Sequence, residues 1–402
     1  WLESRTVGLP INRTREQVER AARSFEVFAE VAGTARGETW TGLPGYLTWV
    51  TREPRGVAAL IAPWNAPLAL ASMRLATCIA FGNTCVLKPS EYTPVSIRRL
   101  VELLHAAGLP PGVVNLVNGR GDVTGAALVA HPGIDLVAFT GGTRTGATIM
   151  AAAGARLAPC TLELGGKSAS LVHPSADLDL ALDGALAGIY SNNGQQCLAG
   201  SRIFLPRSLA DDFIARFVAR ARRIRIGDPL DPATELGPLA HAGHLRHVLG
   251  YVDVARAEGA TLLTGGRRPP AQPRGWFIEP TAVLARDHGG RLCQEEIFGP
   301  FASFVTYDDF DAALALANAT PFGLVAYVWA QDLDAALRAS RELRAGTVWV
   351  NTTMVRELRA PFGGWGQSGV GADGATASLE FFTAQKTTTV PLGRAPVPRL
   401  GA

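Results

Sequence analysis

Only three lysines occur among the 402 residues, Lys88, Lys167 and Lys386, while arginine greatly outnumbers them. Where lysine persists against such a bias, a compact ammonium on a flexible stem is expected to matter. Cysteine is scarce too. Cys78, Cys85, Cys160, Cys197 and Cys293 are odd in number and carry no metal-ligand spacing. That argues against a disulfide framework or a metal cluster and fits a reducing, cytoplasmic setting. Neither charge dominates: the formal net charge is +3, and no basic block is interleaved with aromatics, which argues against nucleic acid as a partner. The most apolar region, residues 56–87, is interrupted by Pro63, Asn65, Pro67 and Arg74, so it does not read as a membrane span. No signal peptide is visible at the start. The chain opens on Trp1 rather than Met, which suggests a fragment or an unrecorded beginning.

What is present points to a folded enzyme. Hydrophobic residues make up 47% and charged residues 18%. The length exceeds one core, so two or three domains are expected. Short apolar runs alternate with amphipathic stretches. Strands are expected at 56–61, 84–87, 113–117, 136–139, 168–172, 202–205, 325–329 and 347–351. Helices are expected at 15–29, 95–107, 123–131, 145–153, 178–190, 209–224, 244–257, 310–317 and 333–343. This rhythm predicts an α/β architecture of parallel sheets flanked by helices. A boundary is expected near Gly165-Gly166. The β-prone run Thr387–Val390 fits an edge strand awaiting another chain, or equally a strand paired within its own domain.

Several short stretches carry chemistry. Asn193-Gly194-Gln195-Gln196-Cys197-Leu198-Ala199-Gly200-Ser201 places one cysteine in an amide-rich, glycine-flanked loop, where backbone N–H groups can assist a thiolate. The alternative is a buried free cysteine. Glu163 alternates with Leu162 and Leu164 on a short strand. An apolar setting raises a carboxylate's pKa and suits it to general-base work. The alternative is a partner for arginine or a backbone cap. In Pro63-Trp64-Asn65-Ala66-Pro67 two prolines restrict the backbone, so the Asn65 amide can serve an oxyanion or cap the following helix. Phe139-Thr140-Gly141-Gly142-Thr143 joins a strand to a helix start that suits a pyrophosphate. Gly119–Gly125 is one residue too long for the dinucleotide fingerprint. Lys88-Pro89-Ser90-Glu91 offers Lys88 and Glu91 to ribose hydroxyls, and Glu295–Pro300 pairs a carboxylate with the Phe298 ring near a turn.

In their order along the chain, the motifs PWN, KPSE, FTGGT, LELGGK, the GQ-Cys loop, EEIFGP and PFGG-x-x-x-SG resemble the aldehyde dehydrogenase superfamily over roughly residues 2–400. Leu2-Glu3-Ser4-Arg5, Ser191–Gly194, Val355–Arg359 and the tail Pro396–Arg399 look like the branch that acts on 5-carboxymethyl-2-hydroxymuconate semialdehyde in 4-hydroxyphenylacetate breakdown. The resemblance implies two Rossmann-like doubly wound domains plus a small β oligomerisation element. Residues 1–35 and 53–164 would bind NAD, 165–375 would be catalytic, and 36–52 with 376–402 would bridge subunits of a homodimer or homotetramer. Cys197 would be the nucleophile, Glu163 the base and Asn65 an oxyanion donor. The dinucleotide would contact Trp64, Lys88, Glu91, Gly121, Gly125, Gly141, Gly142, Glu296 and Phe298. Glu91 favours NAD over NADP, because a carboxylate repels a 2′-phosphate.

Arg356 and Arg359 fall in the segment that the resemblance brings to the substrate mouth, where they would bind carboxylates of an acidic aldehyde. The alternative is a solvated loop or a pair with Glu357. Three departures from the family stand out. The chain starts inside the family's N-terminal helical region. Gly366 stands at a common lysine position, and Gln195-Gln196 replaces the branch's usual charged pair. An aromatic or betaine-type aldehyde, or a non-catalytic structural role, remain the competing expectations.

Overall fold

A computed structural model describes residues 1–395 and 397–401. Residue 396, in the tail motif, and residue 402 lie outside the described residues. A six-stranded sheet collects Gly369–Val370, Cys160–Glu163, Leu136–Thr140, Val57–Ile61, Thr84–Lys88 and Val114–Leu116, in that order. All neighbours are parallel except Gly369–Val370, which pairs antiparallel with Cys160–Glu163. A seven-stranded sheet runs Thr261–Thr264, Thr281–Leu284, Phe301–Tyr307, Arg202–Pro206, Ala169–Val172, Val325–Trp329 and Thr347–Val350. Only its first strand is antiparallel. Strands buried on both faces read as apolar runs rather than alternations. Val325–Trp329 and Arg202–Pro206 are buried at every position.

The expected βα rhythm is present, with differences that have physical causes. The helix Pro67–Ala80 escapes a search for amphipathic periodicity. It is buried on nearly every side, so no polar face marks it. Pro67 stands in its first turn, where the missing N–H costs nothing. The expected helix at 123–131 is instead a π-helical turn, Gly121–Gly125, running into the short helix Ala126–Ala130. Thr281–Leu284 and Phe301–Tyr307 are further strands in the second half. The expected segment 165–375 also lends Gly369–Val370 to the first sheet, which sets the end of Glu163's strand against Gly369.

Apolar packing fixes each sheet to its helices. In the second half Phe213, Phe217 and Phe304 meet under the sheet, with the Phe217 and Phe304 rings edge to face at 5.0 Å. Each buried phenylalanine contributes about 1.5–3 kcal/mol. A separate three-stranded sheet joins Glu38–Trp40, Tyr46–Pro54 and Thr383–Pro391. Thr387–Val390 thus pairs with Leu47–Val50, and its other edge bears no strand among the described residues. All five cysteines are free, and no described helix is long and apolar enough to cross a membrane.

Candidate active site

Cys197 stands on a loop shaped by two asparagines. Asn192 and Asn193 have φ of 56° and 57°, a left-handed conformation that asparagine tolerates better than most residues. Asn193 Nδ2 donates to the carbonyls of Gly8 (2.9 Å) and Pro238 (3.0 Å), and its Oδ1 accepts from Gly237 N–H at 2.8 Å. Asn192 Nδ2 donates to the carbonyls of Asn65 (3.1 Å) and Gln195 (3.0 Å). The Tyr327 hydroxyl donates to Leu198 O at 2.7 Å, and Gln196 Nε2 to Gly188 O at 3.1 Å. Every side of the loop is therefore tied to another element, while Cys197 itself stays half-buried.

Asn65 does not cap the helix that follows it. Ala66 is the N-cap and no side chain caps that end. Instead Asn65 Nδ2 donates to Gln195 O at 2.9 Å, two residues before the cysteine. An amide nitrogen carries two hydrogens, so a second N–H remains for another acceptor. Glu163 ends its strand beside Gly141, whose N–H donates to the Glu163 carbonyl at 3.0 Å. Its carboxylate is buried and Oε1 has no partner, so neither the arginine-partner nor the cap alternative applies to that atom. Burial, then the nearby Asp373 carboxylate, raises its pKa well above the ordinary range, against the pull of Arg74 and Arg356. Asp373 itself is held by Arg74 at 2.7 Å in a buried ion pair.

Two cavities, each of about 370 Å³, meet at Cys197. Both are lined by Asn65, Leu70 and Cys197. The first also carries Trp64, Gly141, Gly142, Glu163, Glu296 and Phe298. Glu296 Oε1 accepts from Gly166 N–H at 2.9 Å, and burial raises its carboxyl to about 7. A Cβ at Gly165 would stand 2.2 Å from that carboxylate and displace it. Phe298 adopts φ 59°, and its carbonyl accepts from His244 Nε2 at 2.7 Å. Burial pushes His244 down to about 4, so its ring is neutral and Nε2 carries the proton in this bond. Trp64 packs edge-on against both Phe298 (5.3 Å) and His244 (4.9 Å).

Lys88 lies deeper, its Nζ donating to Pro89 O at 2.8 Å and standing 3.9 Å from Glu91 Oε2. Its stem runs alongside Gly125, where a Cβ would touch Lys88 Cδ at 3.6 Å. Gly121 opens the same π-turn. The expected dinucleotide residues thus fall into one group around Lys88 and Glu91 and a second around Glu296 and Phe298. The Thr143–Gly154 helix, with Gly142 as its N-cap, opens between strand and cavity. The buried Glu296 carboxylate, the glycine-lined helix start and the aromatic wall of Trp64 and Phe298 all suit a nicotinamide nucleotide.

The second cavity is lined by Arg13, Glu16, Gln17, Arg20, Gln196, Trp349, Thr353, Met354, Arg356 and Phe362. Arg356 lies over the Phe362 ring at 4.2 Å and is 3.9 Å from Asp373 Oδ2. Arg359 is not brought to it. That side chain points outward and pairs with Glu30 and Glu357, the solvated alternative. Arg20 is the residue that sequence reasoning passes over. It sits on the long helix Ile11–Gly33, forms no ion pair among the described residues, and burial followed by the like charge of Arg356 lowers it to about 10. The signal was there: Arg13, Gln17 and Arg20 recur at helical spacing, a polar stripe on the helix's inward side.

The resting thiol is protonated. Burial, then the carboxylates of Glu296 and Glu163, pushes Cys197 up to about 12, and its own backbone N–H offsets this only in part. A thiol so placed needs a base to take its proton.

Comparison with known proteins agrees with this geometry. The Aldehyde dehydrogenase family matches residues 1–388. The 5-carboxymethyl-2-hydroxymuconate semialdehyde dehydrogenase of Escherichia coli is 44% identical over 369 residues, 90% of this chain and 78% of that protein. The 2-hydroxymuconic semialdehyde dehydrogenase of Pseudomonas sp. (strain CF600) is 41% identical over 383 residues, 93% of this chain and 79% of that protein. The crystal structure of PnpE, from Pseudomonas sp. WBC-3, in complex with nicotinamide adenine dinucleotide superposes with a TM-score of 0.97 at 41% identity, covering 100% of this chain and 83% of that one. Motifs, sheets and the junction at Cys197 thus converge on one conclusion: the chain belongs to the aldehyde dehydrogenase family and is an oxidoreductase.

Proposed function

We propose that this protein oxidises an acidic semialdehyde to the carboxylic acid with NAD, and that 5-carboxymethyl-2-hydroxymuconate semialdehyde, formed in 4-hydroxyphenylacetate breakdown, is its substrate. The observation that carries the reading is the pair of cavities meeting at Cys197, one bearing the carboxylate and aromatic groups suited to a nicotinamide, the other bearing Arg20 and Arg356, while Arg13 there is already paired with Glu16. Buried cations without enough anionic partners favour an anion in the cavity. A betaine-type aldehyde would bring a third positive charge to Arg20 and Arg356, which disfavours it. The named activities of the two curated relatives point the same way.

The chain's own groups then divide the work. Sγ of Cys197 attacks the aldehyde carbon as its proton passes to the Glu163 carboxylate. The new oxyanion is met by the second N–H of Asn65 and the Cys197 backbone N–H. When bound, NAD supplies the hydride acceptor, leaving a thioester on Sγ. Glu163, having passed its first proton to solvent, takes a second from the water that attacks the thioester carbon. The C–S bond breaks, the acid leaves, and the proton on Glu163 returns to Sγ to restore the thiol. Trp64 and Phe298 would wall the nicotinamide, Glu296 would hold its ribose, and Gly141 and Gly142 would let the phosphates approach. Lys88, Glu91, Gly121 and Gly125 would hold the adenosine end. The open edge of Thr383–Pro391 supports a homodimer or homotetramer built by strand addition.

The test is NADH formation against a panel of aldehydes with Cys197→Ala as control. The reading predicts that dicarboxylate semialdehydes exceed neutral and cationic aldehydes in kcat/KM. A preference for neutral aldehydes would overturn the substrate, and NADH formation by Cys197→Ala would overturn the nucleophile.

A further inference from the structure

Tyr92 follows the ribose-binding candidate Glu91, in the loop between the strand Thr84–Lys88 and the helix Pro94–Ala106. A local turn fixes it: Tyr92 N–H donates to Ser90 Oγ at 3.3 Å and Thr93 N–H to Ser90 O at 3.1 Å. Its ring is half-exposed and is not part of either core. It nevertheless lies flat on the ring of His241, with centroids 4.1 Å apart and an interplanar angle of 7°. His241 belongs to the other half of the chain. It caps the helix Ala242–Ala257, which packs on the seven-stranded sheet through Leu245 and Val248. Its Nδ1 accepts from His244 N–H at 3.2 Å, and its ring lines the cavity that holds Glu296 and Phe298 and meets the edge of Trp64 at 5.8 Å.

The stack therefore joins the two halves of the chain between the group at Lys88 and Glu91 and the group at Glu296 and Phe298. A dinucleotide spanning those groups has to run beside it. We propose that Tyr92 and His241 form an aromatic clasp that closes over the middle of the bound dinucleotide and sets how long the reduced cofactor stays. The inference rests on the cofactor reading above. Flat stacking of two rings favours the closed arrangement without burying either one fully, so the clasp can open at modest cost. Burial keeps His241 below its ordinary pKa, against the pull of Glu91 and with the push of Arg246, so the ring stacks as a neutral heteroaromatic.

The test compares the parent with Tyr92→Ala and Tyr92→Phe. NADH is bound, then displaced by excess NAD in a stopped-flow cell, and nicotinamide fluorescence gives the dissociation rate. An aromatic pair worth its usual amount predicts that Tyr92→Ala releases NADH roughly two- to tenfold faster. Tyr92→Phe, which keeps the ring, should match the parent. Hydrolysis of an activated ester at Cys197, which needs no cofactor, should be equal in all three and reports intact folding. NADH leaving Tyr92→Ala at the parent rate would overturn the clasp. So would Tyr92→Phe releasing as fast as Tyr92→Ala, since the hydroxyl and not the ring would then act. Parent protein that binds no NADH would overturn the cofactor reading itself, a result separate from either.

Discussion

Replacing Arg356 with Met tests the substrate cavity most sharply. The side chain is only 14% exposed, its guanidinium rests on Phe362 and reaches Asp373 at 3.9 Å, while Arg74 already holds that aspartate at 2.7 Å. Arg356 Nε has no partner. Its donors are thus incompletely used by the protein and are available to a substrate carboxylate. A hydrogen bond to a charged group contributes about 1.5–3 kcal/mol. At about 1.4 kcal/mol per decade, its loss should lower kcat/KM for a dicarboxylate semialdehyde roughly 10- to 150-fold. Methionine keeps a similar stem over Phe362, so packing is largely preserved. A neutral aldehyde makes no such bond and should lose less than about threefold. The assay is NADH absorbance with both substrates on both proteins, each checked for a cooperative melt. Equal losses on the two substrates would falsify the carboxylate assignment and leave Arg356 as a purely structural group.

Two further perturbations bear on the same site. Asn65→Ala removes one oxyanion donor and should lower kcat about 10²- to 10³-fold with little change in KM for NAD. An unchanged kcat in steady-state assays would remove Asn65 from the chemistry. Glu296 has its pKa raised from 4.5 to about 7 by burial, so above pH 4.5 the folded protein binds more protons than the unfolded chain. Stability contributed by the protonated form is present below pH 4.5 and is lost as pH rises through about 7, a total of about 3 kcal/mol at most. Glu296→Gln should flatten that part of the Tm-versus-pH curve; a parallel curve would show that the carboxyl is not buried in this way.

How much of this is legible in the sequence differs from residue to residue. Cys197 is marked by small, amide-rich neighbours, and Glu163 by an apolar strand ending at Gly165-Gly166. Neither mark alone decides between chemistry and packing. Asn65 illustrates why: between two prolines it reads equally as a helix cap, and only the fold brings Gln195 O to its amide. Arg356 and Arg359 look alike as sequence, three residues apart on one loop. A turn sends one over Phe362 into the cavity and the other to Glu30 on the surface, a distinction made by tertiary contacts alone. Arg20 shares a helical face with Arg13 and Gln17, a visible stripe, but a charged stripe on an amphipathic helix reads as its solvated side until the fold turns it inward. The α/β rhythm is visible through its short apolar runs, whereas Pro67–Ala80 is not, because burial on all sides erases periodicity.

The account's central claim is that Cys197 carries the acyl group and Glu163 delivers the water. The most direct measurement is intact-protein and peptide mass spectrometry on Glu163→Gln after mixing with NAD and the semialdehyde. The account predicts a single equivalent of NADH, formed more slowly than by the parent because Glu163 also takes the Cys197 proton, with the acyl mass then retained on the peptide containing Cys197. That equivalent with no mass on that peptide, or turnover at the parent rate without its unpaired buried carboxylate, would contradict it.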